Sequence, residues 1–203
     1  MLSPFMSSKQ LIWISDYNGN VPSHAVAGGT YCDGEPNYIG RAQFGDNGDL
    51  IPGCIVPSHG VIYFVYEGKE HYLTEYQCLI HPDGARATSF NWLSTIDIPW
   101  IRGQQPLPKN AVIGGREKGG QKLFIGRAYY QGGWVIGKIQ MNNNNTITNT
   151  TNNIHTRKNK NSQKQNQQNP SHQQFNPNRT LYIPFGGQQV VITDHYDVLV
   201  LEK

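Results

Sequence analysis

The chain has 203 residues, of which 17 are Lys or Arg and 14 are Asp or Glu, so its formal net charge is +3. Five of the basic residues lie within 141–180, and the rest of the chain carries 12 basic and 14 acidic residues, which excludes a nucleic-acid binder with a basic folded surface. No apolar stretch approaches the ~18 residues of a membrane-spanning helix, and the N-terminus does not resemble a signal peptide.

In chain order, the apolar residues recur with a period of two and not with the period of ~3.6 that indicates a helix. Short aromatic and β-branched runs are separated by clusters of Gly, Pro, Asn and Asp, which is typical of β-strands joined by tight turns. These runs lie at 10–15, 37–43, 61–66, 122–130 and 181–185. The pattern predicts an all-β fold with several hairpins in each half of the chain.

Two parts of the chain repeat each other. Residues 21–42 and 107–128 align without a gap and are identical at 10 of 22 positions, whereas composition alone predicts about one or two identities. Trp13 and Trp100 precede the two stretches, and a Tyr-x-x-Leu motif follows each. A duplicated unit therefore organises the chain, and the places where the two copies differ are informative about function.

Glycines recur at the same places in both copies. Gly40 and Gly126 lie inside strand-like runs, where a glycine usually marks a bulge or a close backbone approach. Gly68 and Gly187 each follow an apolar run, and we predict that both lie in hairpin turns.

A polar tract interrupts the second copy alone. Of the 40 residues at 141–180, 19 are Asn or Gln and none is acidic. Because such a tract cannot bury enough apolar area to offset its ordering entropy, we predict a disordered insertion in a surface loop. Self-association through Asn and Gln is the alternative role. The predicted units are a first repeat at 9–81, a linker at 82–96 and a second repeat at 97–203.

The three cysteines all lie in the first copy and form no C-x-x-C motif. This spacing argues against a disulfide framework or a metal site and favours a reducing compartment. We therefore expect a cytoplasmic protein, with non-classical secretion left open. The chain also has no nucleophile elbow and no H-E-x-x-H motif, so we expect neither an enzyme nor a cofactor.

Both copies carry the same ordered set of motifs. A Trp comes first, followed by Pro-x-x-Ala-Val-x-Gly-Gly, aromatic-Ile-Gly-Arg-Ala and the closing Tyr-x-x-Leu, from Pro22 to Leu79 and from Pro108 to Leu199. This set resembles the DM-nine (DM9) repeat family. The resemblance implies two homologous antiparallel β repeats packed with pseudo-twofold symmetry, like a β-sandwich. It also implies a non-enzymatic protein that can form homodimers, and similar members act in invertebrate immune and stress responses.

Some similar members bind mannose-type glycans. In those lectins, an acidic residue two positions after the Gly-Gly pair and the lysine of a Gly-Lys segment hold the sugar. The second copy has Glu117 and Lys138 at these places, whereas the first copy has Tyr31 and Cys54. The resemblance therefore implies a single sugar site, in the second copy.

Further side chains are candidates for the site. Trp134 or Tyr130 could cover the apolar face of a sugar ring, and Asp33 could supply a carboxylate in the first copy. Arg41 and Arg127 occupy equivalent places, where a structural hydrogen bond to a carbonyl or a carboxylate is favoured over a role in the site. The sequence thus predicts a lectin-like protein for mannose-type glycans, and the alternative is an intracellular adaptor without a sugar site.

Overall fold

The computed structural model describes residues 11–81, 100–102, 107–141, 179–193 and 195–201. This part of the chain contains fourteen β-strands and one short 3-10 turn, which confirms the prediction of an all-β fold. No helix in these ranges is long or apolar enough to cross a membrane.

Each copy contributes seven strands in the same order. The first copy holds β1 (Ile12–Tyr17), β2 (Ala27–Thr30), β3 (Pro36–Phe44), β4 (Asp49–Val56), β5 (Val61–Tyr66), β6 (Lys69–Leu73) and β7 (Glu75–Ile80), with the 3-10 turn at Pro57–His59. The second copy holds β8 (Trp100–Arg102), β9 (Ile113–Glu117), β10 (Gln121–Tyr130), β11 (Gly133–Met141), β12 (Arg179–Phe185), β13 (Gln188–Ile192) and β14 (Asp197–Leu199).

The order of the strands in the sheet shows the symmetry of the two copies. It runs β1-β7-β3-β4-β5-β6-β13-β12-β11-β10-β14-β8, with β2 paired to β3, and β9 paired to β10 and β4. Replacing each strand by its counterpart in the other copy gives the same order read backwards. The copies meet where Lys69 of β6 pairs with Gln188 of β13, and these two residues are themselves counterparts. The prediction of two antiparallel β repeats with pseudo-twofold symmetry is therefore confirmed.

Two hairpin turns contain the predicted glycines. Glu67 and Gly68 have φ of 47° and 79°, and Gly186 and Gly187 have φ of 63° and 79°. Two consecutive residues with positive φ are typical of the two-residue turn that matches the twist of antiparallel strands. The turns join β5 to β6 and β12 to β13, so both predictions are confirmed, and both turns lie where the copies meet.

The larger hydrophobic cluster is shared between the copies. It contains Ile39 and Leu79 from the first copy and Ile125, Ile136 and Leu181 from the second, all of them fully buried. Burial of apolar side chains from both copies in one cluster means that neither copy can cover this surface alone. This shared core is the reason that we expect the two copies to unfold together.

Close backbone approaches join the copies as well. A Cβ atom added to Gly115 of β9 would lie 1.9 Å from the carbonyl oxygen of Leu50 in β4. Only glycine allows the two chains to come this close.

The ends of the predicted insertion belong to the sheet. Met141 pairs with Arg179, and Gln140 pairs with Thr180, in the ladder between β11 and β12. Met141, Arg179 and Thr180 are therefore strand residues, and the interruption is narrower than 141–180 because backbone pairing continues to these positions. The rest of the predicted insertion, at 142–178, and the predicted linker at 82–96 lie outside the described residues.

Candidate functional site

The predicted acid–base pair is formed in the second copy. Glu117 ends β9 and Lys138 lies in β11, on either side of β10. The Lys138 Nζ atom lies 2.7 Å from Glu117 Oε2. Gln140 donates through Nε2 to Glu117 Oε1 at 2.9 Å and to Gln121 Oε1 at 3.2 Å. Gln140 thus holds one oxygen of the carboxylate while Lys138 holds the other.

The pair is removed from bulk water. Lys138 is 4% exposed and Glu117 is 3% exposed. Burial lowers the pKa of Lys138 from its ordinary value, while the hydrogen bond that Lys138 donates to Glu117 opposes this change. The ammonium and the carboxylate are in direct contact at 2.7 Å. A hydrogen bond between charged groups is stronger than a neutral one, and it is stronger inside a protein than in water.

A pocket of about 210 Å³ opens over the pair. Its walls come from both copies, because the turn at Glu67–Gly68 of the first copy closes a pocket otherwise made by β9, β11, β12 and β13. The Nζ atom of Lys118 lies 3.7 Å from Glu67 Oε1 across this boundary, in an exposed ion pair. The remaining lining residues are Gln140, Tyr182 and Gln189.

The aromatic residues predicted for the site lie elsewhere. Tyr130 packs against Phe185, with ring centroids 5.1 Å apart. Trp134 precedes Lys138 by four residues on the same strand, which corresponds to about 13 Å along β11. Neither Trp134 nor Tyr130 lines the pocket, and the aromatic side chain that does so is Tyr182.

Sequence reasoning missed Tyr182 for a definite reason. Tyr182 pairs with Lys138 in the β11–β12 ladder, but the long polar tract between these strands hides the turn from which their register would be read. In the first copy, Cys54 pairs with Tyr63, and these residues are the counterparts of Lys138 and Tyr182. The internal repeat could therefore have pointed to Tyr182 as the neighbour of Lys138.

Arg127 and Arg41 connect the copies and do not line the pocket. Arg127 donates from Nη1 to the Gly28 carbonyl of the other copy at 2.5 Å and from Nε to Asp197 at 3.2 Å. Its counterpart Arg41 donates from Nη1 to the Gly114 carbonyl at 3.5 Å. Burial lowers the pKa of Arg127 to about 10, and Asp197 opposes the change. These contacts agree with the structural interpretation of both arginines.

Asp33 belongs to a different arrangement in the first copy. Its Oδ2 atom lies 3.3 Å from Nε2 of His59, and the Nδ1 atom of His59 lies 3.2 Å from the Tyr63 hydroxyl. Tyr31 and Cys54, the counterparts of Glu117 and Lys138, are buried in the shared core. The structure thus places Asp33 beside His59 in the first copy, and a role for it in a first-copy sugar site stays a prediction. No group of three His, Cys, Asp or Glu side chains in the described ranges is arranged to hold a metal ion.

The comparisons with known proteins agree with this architecture. The crystal structure of the nematode sperm cell motility protein MFP2B is similar, with a TM-score of 0.57 and 12% sequence identity over 100% of this chain and 50% of that chain. This chain thus spans about half the length of that protein, and the likeness concerns the fold alone. Comparison with curated proteins gives no match. A family model described as the DM9 repeat matches residues 4–72 and 32–156, more than half of the sequence, so the chain belongs to the DM9 repeat family.

Proposed function

We propose that the protein is a non-catalytic, lectin-like protein that binds a mannose-type glycan in the pocket of the second copy. The observation that carries this proposal is the buried Glu117–Lys138 pair, which lines a polar pocket closed by the other copy. Family membership supports it, because similar DM9 repeat proteins hold sugars with residues at these two places.

The hydrogen-bonding capacity of the pair suits a sugar. A lysine ammonium has three donors and a carboxylate has about four acceptor sites. Within the described residues, Lys138 uses one donor on Glu117, while Glu117 accepts from Lys138 and Gln140. Donors and acceptors therefore remain for adjacent hydroxyl groups, which both donate and accept.

The other walls of the pocket set the size and orientation of the ligand. Tyr182 and Gln189 also line the pocket, and a tyrosine hydroxyl and an amide both donate and accept hydrogen bonds, as sugar hydroxyls do. A volume of about 210 Å³ is smaller than the ~300–1,000 Å³ of pockets that enclose drug-sized ligands. We therefore expect one terminal sugar residue to enter, with the rest of the glycan outside.

One observation favours the alternative of an adaptor without a sugar site. Glu117 and Lys138 are almost fully buried and satisfy each other at 2.7 Å, as a purely structural ion pair would. Under this alternative the surface of the protein, and not the pocket, is the functional part, and wild-type protein binds no monosaccharide.

The cysteines support an intracellular setting for either function. Cys32, Cys54 and Cys78 are all free, and burial raises the pKa of both Cys54 and Cys78 to about 12. Protonated, buried thiols and an exposed Cys32 suit a reducing compartment such as the cytoplasm. A role in immune or stress recognition, as a monomer or a homodimer, is part of the same proposal.

Calorimetric titration with methyl α-mannoside tests the sugar site. Two changes should each weaken binding by about 10-fold or more. One is Tyr182→Leu, which leaves the ion pair intact, and the other is the double variant Glu117→Gln, Lys138→Met. Lys122→Met and Glu75→Gln change exposed charges outside the pocket and serve as matched controls that keep wild-type affinity. Unchanged binding in the double variant would contradict the proposed site, and no binding by the wild type would favour the adaptor.

A further inference from the structure

The first copy has a pocket of its own that overlaps the pseudo-symmetric place, since its residues Tyr63, Glu70 and Gly187 are the counterparts of Tyr182, Gln189 and Gly68. Its volume is about 330 Å³. One face of β5 and β6 forms most of the wall, and Gly187, in the turn of the second copy, closes it just as Gly68 closes the other pocket. The lining residues are His59, Val61, Tyr63, Glu70, Tyr72 and Gly187.

The two pockets differ in chemistry at matched positions. Tyr63 pairs with Tyr72 and Val65 pairs with Glu70 in the first copy. The counterparts of Glu70 and Tyr72, identified by the equivalent ladder of the second copy, are Gln189 and Val191. The first pocket thus has the carboxylate of Glu70 where the second has the amide of Gln189. It also has the aromatic ring of Tyr72, whose counterpart Val191 does not line the second pocket.

Glu70 places a negative charge in the first pocket. Its Oε2 atom accepts a hydrogen bond from the Gly187 backbone N–H at 2.8 Å. Burial raises the pKa of Glu70, and backbone N–H groups of Gly187 and Gln188 oppose this change by stabilising the carboxylate. These bonds leave acceptor sites on the carboxylate for a ligand. Lys69, the neighbouring cation in β6, points to the opposite face of the strand because side chains alternate.

Two tyrosines form a corner beside this carboxylate. The rings of Tyr63 and Tyr72 have centroids 6.3 Å apart and planes inclined at 58°. Tyr72 is 66% exposed, whereas Tyr63 is held by His59, which in turn contacts Asp33. Asp33 adds a second carboxylate nearby, and the residues that line the pocket include no lysine or arginine.

We propose that this pocket binds an alkylammonium group, with Glu70 as its counter-charge and the rings of Tyr63 and Tyr72 as its walls. An organic cation is attracted both by a carboxylate and by the negative faces of aromatic rings. An anion would be repelled by Glu70. The group could belong to a small molecule such as choline or to a methylated lysine of a partner protein, and the chemistry of the pocket is the same for both.

NMR titration of the full-length protein at constant ionic strength tests the proposal. The probes are choline, a peptide containing trimethyllysine, and 3,3-dimethyl-1-butanol, the uncharged isostere of choline. Choline should bind with an affinity of about millimolar or better, and at least about fivefold more tightly than the isostere. A stronger response to the peptide would identify a protein partner as the source of the group, and a stronger response to choline a small molecule.

Variants identify the residues responsible. Glu70→Gln and Tyr72→Val introduce the residues that the second copy already has at these places, so the fold should accept them. Each should weaken choline binding by at least about fivefold. Tyr129→Val is the matched control, because Tyr129 is 64% exposed but lines neither pocket, and it should leave choline binding unchanged. Equal affinity for choline and its isostere, wild-type affinity in both pocket variants, or no response to either cation would overturn the proposal.

Discussion

Removing one member of the Glu117–Lys138 pair should destabilise the protein far more than removing both. The single variants are Glu117→Gln, which keeps an acceptor for Gln140, and Lys138→Met, which keeps the length of the side chain. Either change leaves one buried group without its opposite charge. The double variant leaves no charge, as in the first copy, where the uncharged residues Tyr31 and Cys54 occupy the same places.

The size of the effect follows from distance and burial. With an effective dielectric constant of ~20, charges 2.7 Å apart attract each other by about 6 kcal/mol. Desolvation of the two ions, which are 4% and 3% exposed, costs several kcal/mol for each ion and offsets most of this attraction. Each single variant should therefore lower the free energy of unfolding by about 3–5 kcal/mol, and the double variant by less than ~1 kcal/mol.

Urea denaturation at pH 7, analysed by linear extrapolation, measures all three variants and the wild type. The double-mutant cycle then gives a coupling energy of at least about 5 kcal/mol, which is the sum of the two single losses minus the loss of the double variant. If both single variants lose less than ~1 kcal/mol, the pair behaves as a solvated surface ion pair, and the reasoning from burial is refuted. A double variant as unstable as the singles would instead show that other parts of the structure depend on one of the charges.

Three further predictions concern the chain as a whole. Replacing 142–178 with a five-residue Gly/Ser link should shift the melting temperature by only a few degrees. Met141 and Arg179 are already paired, and the entropic cost of closing a loop grows slowly with its length. Unfolding of this variant would show that the segment is structural. Residues 1–95 expressed alone should give a poorly dispersed NMR spectrum, since the core is shared, whereas a sharp cooperative melt would show an independent first repeat. In the native protein a thiol reagent such as DTNB should quickly label only Cys32, the exposed cysteine, and should label all three cysteines only in denaturant. Rapid labelling of more than one cysteine in the native protein would contradict the burial of Cys54 and Cys78.

The features that could be predicted from the sequence are those encoded locally or by internal comparison. The period-two pattern and the glycines at Gly68 and Gly187 indicate strands and tight turns, because these depend on residues close together in the chain. The resemblance to the DM9 repeat family pointed to Glu117 and Lys138, and comparison of the two copies showed that only the second copy has this pair. The same comparison favoured a structural role for Arg127, because Arg41 occupies the equivalent place.

The tertiary structure alone decided which surfaces face each other. Sequence patterns suggested Trp134 as the aromatic wall, whereas the register between β11 and β12 places Tyr182 beside Lys138. The turn at Glu67 closes the pocket of the other copy, and Glu70 meets Gly187 across the same boundary. Such contacts join residues far apart in the chain, and they follow from the pairing of β6 with β13, which no local pattern of side chains specifies.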